Sequence, residues 1–232
     1  MLPKIETPTF DFSIPSTGEV KKFRPFLVKE EKVLMLASEG GEYKDMISAC
    51  EQIVSNCSLE DIDVSELSVF DLQHLFMRLK EKSTGDTQEF TLVCGGCKEQ
   101  INYTLQLADV KVHGLDERPD KIIKINDDVA IELQYPNARV ILNLEQDGDD
   151  TAIVNHCLVK VFSGEEILYI KDETPENINE FVDNLPLDVF EKIQEFFSKM
   201  PRVEHVVEYK CHKEECGFDN RISINGYEHF FG

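Results

Sequence analysis

Two pairs of cysteines constrain this chain more than any other feature of its sequence. Cys94 and Cys97 form a CxxC within Thr91-Leu-Val-Cys-Gly-Gly-Cys-Lys98, and Cys211 and Cys216 form a CxxxxC within Tyr209-Lys-Cys-His-Lys-Glu-Glu-Cys-Gly217. Each pair lies between strand-like runs. Residues 88–93 lead into the first and 100–106 lead out of it, while 203–209 and 221–224 flank the second. A lone CxxC is as compatible with a redox pair or two buried thiols as with a metal. The second pair shifts the balance, because four thiolates make a closed tetrahedral zinc site with no position left for a substrate. Gly95-Gly96 is expected to let the first pair turn tightly onto one ion. His212, beside Cys211, is an alternative ligand. The expected unit is a zinc ribbon made from two distant hairpins, 87–108 with 202–226, and its Zn2+ would be structural. Such an ion would close a very long loop and stabilise the fold accordingly.

The other three of the seven cysteines are Cys50, Cys57 and Cys157. Cys50 and Cys57 are two helical turns apart and are expected on a core face. An odd number of cysteines fits a reducing compartment with metal and buried thiols better than a disulfide framework. The first residues, with proline and charge spread through them, lack the apolar core of a secretion signal, and no run has the length of a membrane span. The expectation is therefore a cytoplasmic protein.

Charge narrows the choice of partners. The 232 residues hold 24 Lys and Arg against 45 Asp and Glu, a formal charge of −21. A ribbon that grips nucleic acid needs a basic face, since neutralising phosphates supplies most of the affinity. Anionic membranes are disfavoured for the same reason. A polar or basic protein surface remains as the natural partner, although acidity also serves solubility alone.

The pattern of elements predicts an α+β fold, a helical layer with short β-hairpins. Residues 10–14 and 21–25 read as a hairpin around Pro15-Ser-Thr-Gly18. Helices are expected over 27–38, stopped by Gly40-Gly41, and over 43–57, where Met46, Ile47, Cys50, Ile53, Val54 and Cys57 share a face. Ser68 would cap a third, carrying Val69, Leu72, Leu75, Phe76 and Leu79, with His74 at the edge of the core. Residues 121–125 and 129–133 suggest a metal-free hairpin. The carboxylates Glu145, Asp147, Asp149 and Asp150 lack the ligand ladder of a calcium loop. Asp149 or Asp150 instead suits the start of a helix through Ile153, Val154, Cys157, Leu158 and Val161. Thr174-Pro175 predicts a capped helix through Phe181, and Pro186 separates it from another over 187–200. Two regions are expected within one compact unit, 1–86 with the first hairpin and helices, and 87–232 with the ribbon and the helices between its halves.

Signatures of catalysis are absent. The chain has no GxxxxGK[ST], no GxGxxG after a strand, no HExxH and no GxSxG. The deaminase pattern fails too, since Val93 rather than proline precedes Cys94. The chain is expected not to be an enzyme.

The N-terminal segment carries a family resemblance. Met1-Leu-Pro-Lys-Ile5, Thr7-Pro-Thr-Phe-Asp-Phe12, Ile14-Pro-Ser16 and above all Phe23-Arg-Pro-Phe-Leu-Val-Lys-Glu-Glu-Lys-Val-Leu34 resemble the small baseplate hub proteins of T4-like contractile-tailed bacteriophages. The resemblance extends over most of the chain. It implies a non-enzymatic tail assembly protein that works in the host cytoplasm, and in the virion baseplate if it stays there. Its implied partners are other baseplate hub proteins and the tape-measure protein. A transient assembly chaperone for a tape-measure or hub protein is the alternative within that biology, and a zinc-ribbon regulator of host machinery is the alternative outside it. Phe10, Phe12, Phe23 and Phe26, set among prolines and short strands, are the candidate partner contacts. The competing expectation is that they staple the N-terminus to its own core.

Overall fold

A computed structural model describes residues 3, 5–147 and 152–226. Among them the chain begins with β1 (Phe10–Ser13), β2 (Val20–Phe23), α1 (Val28–Gly40), α2 (Tyr43–Cys57), α3 (Val69–Thr84), β3 (Thr87–Val93), β4 (Gln100–Gln106) and β5 (Lys111–His113). It continues through β6 (Ile122–Lys124), β7 (Val129–Leu133), α4 (Ala138–Asp147), α5 (Ala152–Cys157), β8 (Leu158–Ser163) and β9 (Glu166–Tyr169). Then come α6 (Pro175–Asp183), α7 (Leu187–Ser198), β10 (Arg202–Lys210) and β11 (Asp219–Asn225). This is the expected α+β mixture of helices and small antiparallel sheets. None of the described helices is long and apolar enough to cross a membrane.

The chain divides into two compact units. The first takes in Met1–Val64, Phe70–His113 and Arg202–Gly232; the second takes in Ser65–Val69 and Gly114–Pro201.

In the first unit, β1 and β2 pair antiparallel from Phe10 opposite Phe23 to Ser13 opposite Val20. Gly18, at φ 76, donates its N–H to the Ile14 carbonyl and closes the turn. The hairpin puts Phe12 against Phe23, ring centroids 5.4 Å apart, and both are buried. The run from Phe23 to Glu31 then explains itself. Arg24 forms a two-pronged pair with Glu30, at 3.0 and 3.2 Å, and donates to the Asn56 carbonyl near the end of α2. Glu30 accepts in addition from the Leu27 N–H at 2.9 Å, satisfying a donor at the start of α1 that the apolar Leu27 side chain cannot serve. The spacing of apolar residues in α2 and α3 does what it predicts. Ile47, Cys50, Ile53, Val54 and Cys57 are buried from one helix, and Leu72, Leu75, Phe76 and Leu79 from the other.

Two further sheets complete this unit. β3 and β4 form one hairpin, and β11, β10 and β5 form the other sheet in that order. Arg78 on α3 donates to the carbonyls of Leu107 and Val110, fixing the turn that leads from β4 into β5.

The second unit holds an antiparallel sheet in the order β6-β7-β8-β9 with helices α4 to α7. Val189, Ile193 and Phe196 bury one face of α7, and Phe196 stacks on Tyr135 at 5.3 Å. Thr174 caps α6 by accepting from the Asn177 N–H, with Pro175 in the first turn, as its sequence predicts.

One helix ends earlier than its spacing suggests. The expected helix through Leu158 and Val161 stops at Cys157, and residues 158–163 become β8. Leu158-Val-Lys-Val-Phe is rich in β-branched and aromatic side chains, and both neighbours of the strand are in place: Val161 faces Ile131 of β7 and Leu168 of β9. Sheet pairing on two sides therefore outweighs the helical spacing. The proposed caps Asp149 and Asp150, and the side chains of Glu145 and Asp147, lie outside the described residues.

Candidate metal centre

The two cysteine pairs sit where two hairpins turn. In the first, the β3–β4 ladder ends with Val93 opposite Gln100, and the Cys94 N–H donates to the Glu99 carbonyl at 2.8 Å. In the second, the β10–β11 ladder ends with Lys210 opposite Asp219, and the Cys211 N–H donates to the Phe218 carbonyl, also at 2.8 Å. Both turns then use the same device. The residue after the second cysteine takes a positive φ, 62° at Lys98 and 54° at Gly217, which swings the chain back into its outgoing strand. The extra residues between Cys211 and Cys216 leave this exit unchanged.

Gly95 and Gly96 serve a purpose other than the expected tight turn, since neither has a positive φ. Their absent side chains leave room for the other hairpin. A Cβ at position 95 would lie 3.0 Å from the Phe218 ring, and one at position 96 would lie 3.0 Å from Phe218 and 3.1 Å from the Cys216 sulfur. The glycines thus allow close approach of the two tips.

That approach brings all four sulfurs within 4.8 Å of one another. Cys94 Sγ lies 3.9 Å from Cys216 Sγ, and Cys97 Sγ lies 3.7 Å from Cys211 Sγ. Four sulfurs at about 2.3 Å from a shared tetrahedral ion would be about 3.8 Å apart. These separations fit that geometry, and they are far too long for disulfides. Each short contact links one hairpin to the other, so an ion here would cross-link the two tips.

Hydrogen bonds prepare the site. The Cys97 N–H points at the Cys94 sulfur and, against the burial of that thiol, lowers its pKa to about 6, with help from Asn220. At Cys211 the Lys213 N–H favours the thiolate, but burial and the neighbouring thiols push the pKa up to about 12. One sulfur is thus ready to ionise, while Cys211 and Cys216 resist becoming further anions without a cation among them.

Asn220, buried on β11, ties the hairpins together beside the sulfurs. Its Oδ1 accepts from the Gly95 N–H at 2.8 Å, and its Nδ2 donates to Cys94 Sγ at 3.5 Å and to the Phe218 carbonyl at 3.1 Å. Lys213 and Glu99 form an ion pair between the two turns, and Tyr103 on β4 meets His205 on β10 at 2.9 Å. Sequence reasoning found the four sulfurs and missed these supports. Nothing in Gly217-Phe-Asp-Asn220 distinguishes the asparagine that reaches across from any other polar residue in a strand.

The remaining candidates have other surroundings. Cys50, Cys57 and Cys157 are fully buried, apart from the cluster, and burial pushes Cys57 up to about 11 and Cys157 up to about 12. Such thiols are poor nucleophiles and poor ligands at neutral pH. Phe12 and Phe23 are buried in the core, as the stapling expectation has them. Phe26 is half-buried against Phe76, ring centroids 5.6 Å apart, and Phe10 is half-buried beside Phe12. His74 is a core-edge histidine on α3.

The family model described as T4 bacteriophage base plate protein matches residues 7–232. No curated protein and no solved structure matches the chain.

Proposed function

Because this chain belongs to the T4 bacteriophage base plate protein family, we propose that it is a non-enzymatic part of the phage base plate, helping to build the hub through contacts with other hub proteins and the tape-measure protein. The family match across residues 7–232 carries this reading. In it, Cys94, Cys97, Cys211 and Cys216 hold a structural Zn2+. The sulfur separations and the donor set of four thiols support zinc in a closed site rather than a catalytic one. Assembly takes place in the host cytoplasm.

The net charge of −21 favours a second reading, a transient chaperone that keeps an adhesive tape-measure or hub segment soluble and is then released. Quantitative mass spectrometry of purified particles beside infected-cell lysate separates the two. A fixed copy number per particle, in ratio to a known hub subunit, is expected for the structural part. Abundance in the lysate with absence from particles would make it the chaperone. Elemental analysis of the purified chain tests the metal, with one zinc per chain expected and a metal-free, equally stable protein refuting it.

A further inference from the structure

We propose that β9 and the groove beside it accept an extended segment of a partner protein as an added strand, with apolar side chains and a lysine or arginine turned into the groove. The proposal rests on the reading that the chain works through protein contacts, and it assigns a place and a chemistry to one of them.

Three observations meet at this edge. β9 is the last strand of its sheet, paired only with β8 among the described residues, so alternate N–H and C=O groups along its outer side have no strand partner. Its apolar residues are uncovered, with Ile167 49%, Leu168 43% and Tyr169 43% exposed. Natural edge strands are ordinarily blunted by charge, proline or a covering loop; β9 carries a charge only at its first residue, Glu166, and Ile167-Leu168-Tyr169 has none of these within it. The third observation is a groove of about 580 Å³ in the same unit, lined by Leu168 together with Val129, Val161, Ile178, Phe181 and Leu185 among others. Added strands bind in this manner, backbone pairing giving affinity and pockets for alternate side chains giving selectivity.

Charge decides what kind of segment fits. Glu173 and Glu180 are the charged residues among the described groove lining, which includes no lysine or arginine. On the opposite face, Lys160 is paired with Glu132 at 2.8 Å and Lys171 stands over the Tyr169 ring at 5.5 Å. An incoming strand therefore gains from a cation on its groove side. A second copy of this chain is the poorer occupant, because each copy carries a charge of −21.

The test uses the full chain and a short extended peptide with Ile and Lys alternating on one face and Thr on the other. Hydrogen exchange at residues 166–169 is expected to slow when it binds. A peptide with Glu in place of Lys should bind about tenfold more weakly or worse. The double variant Glu173→Lys/Glu180→Lys should reverse that preference, an outcome that misfolding cannot imitate, and Leu168→Glu should abolish binding of both. Unchanged exchange at 166–169, or protection elsewhere only, overturns the proposal. Self-association that protects these residues and is lost in Leu168→Glu also overturns it, by putting a second copy there. If the wild-type chain and Leu168→Glu enter particles equally and the peptide leaves 166–169 unprotected, the edge inference falls while the structural role stands. If the wild-type chain never enters particles yet the peptide binds, the structural role falls alone.

Discussion

Asn220 reaches from one cysteine hairpin to the other, donating from Nδ2 to Cys94 Sγ at 3.5 Å while its Oδ1 accepts the neighbouring Gly95 N–H at 2.8 Å. This one side chain both steadies a candidate ligand and satisfies backbone at the turn that carries it. Truncation in Asn220→Ala leaves the Gly95 N–H without its partner, at a cost of about 1–3 kcal/mol. Loss of the contact to sulfur should weaken zinc about 10- to 100-fold, the usual effect of removing a group that orients a metal ligand. A chelator competition measures the second effect and chemical denaturation of the zinc-loaded chain the first. Wild-type values in both would show that Asn220 is incidental.

Replacing a sulfur is a harsher test. In Cys94→Ser or Cys211→Ser, metal content and melting temperature should fall together, because the proposed ion would join turns that are distant in sequence. Chelation of the wild-type chain should reproduce most of that fall and leave the variants nearly unaffected. Retention of zinc by a chain lacking either cysteine would rule out the four-sulfur site.

Gly96 makes a sharper geometric prediction. An added methyl would sit 3.0 Å from the Phe218 Cβ and 3.1 Å from Cys216 Sγ, so Gly96→Ala must push the hairpins apart at the four-sulfur cluster. The expected cost is about 1–3 kcal/mol, the range for overpacking, and it should appear chiefly in the zinc-loaded protein. Denaturation with and without chelator reads the difference, and equal destabilisation in both states would mean that the glycine serves the turn alone.

The fold and the site were legible to different depths. Paired thiols between strand-like runs were enough to bring Cys94, Cys97, Cys211 and Cys216 together, because a hairpin places its turn residues predictably and four sulfurs call for a shared ion. Their supports were not legible, since which strand residue reaches across depends on how two hairpins meet, as at Asn220 and Phe218. The same limit explains β8. Local spacing fits Leu158 and Val161 to a helix, and only the partners Ile131 and Leu168 make them a strand. Arg24 shows a related limit, because the run from Phe23 to Glu31 is distinctive in sequence while its reason, a buried ion pair, is visible only in three dimensions.

That pair yields the next prediction. Burial disfavours the Glu30 carboxylate, but hydrogen bonds from Arg24 and the Leu27 N–H, with the nearby Arg24 and Lys29 charges, hold its pKa below the usual range. Arg24 and Glu30 are both shielded, with side-chain exposures of 12% and 0%. Glu30→Gln or Arg24→Met should therefore cost about 3–5 kcal/mol, mainly by leaving the other charge buried without its partner. The pH dependence has a fixed sign. A carboxyl whose folded pKa is depressed contributes its full stability above its unfolded value, near about 4.3, and loses it as pH falls through the lower folded value. Denaturation midpoints between pH 6 and pH 3 should fall less steeply in Glu30→Gln than in the wild type. An equal slope would show that the pair does not couple to protons.

His74 supplies a separate acid sensitivity, at higher pH. Burial within α3 and the nearby Arg78 guanidinium lower its pKa to about 4. The unfolded imidazole takes up a proton near pH 6.5, whereas the folded one stays neutral until about pH 4. Through that window the unfolded state binds more protons, so stability rises with pH and is lost on acidification from 6.5 downward. The difference corresponds to about 3 kcal/mol once the window has been crossed. His74→Leu removes the proton acceptor while keeping an apolar side chain of similar reach. Its unfolding free energy should vary less between pH 7 and pH 4.5 than that of the wild type, where Glu30 still contributes in full. A parallel loss in both proteins over this range would mean that His74 titrates normally in the folded chain.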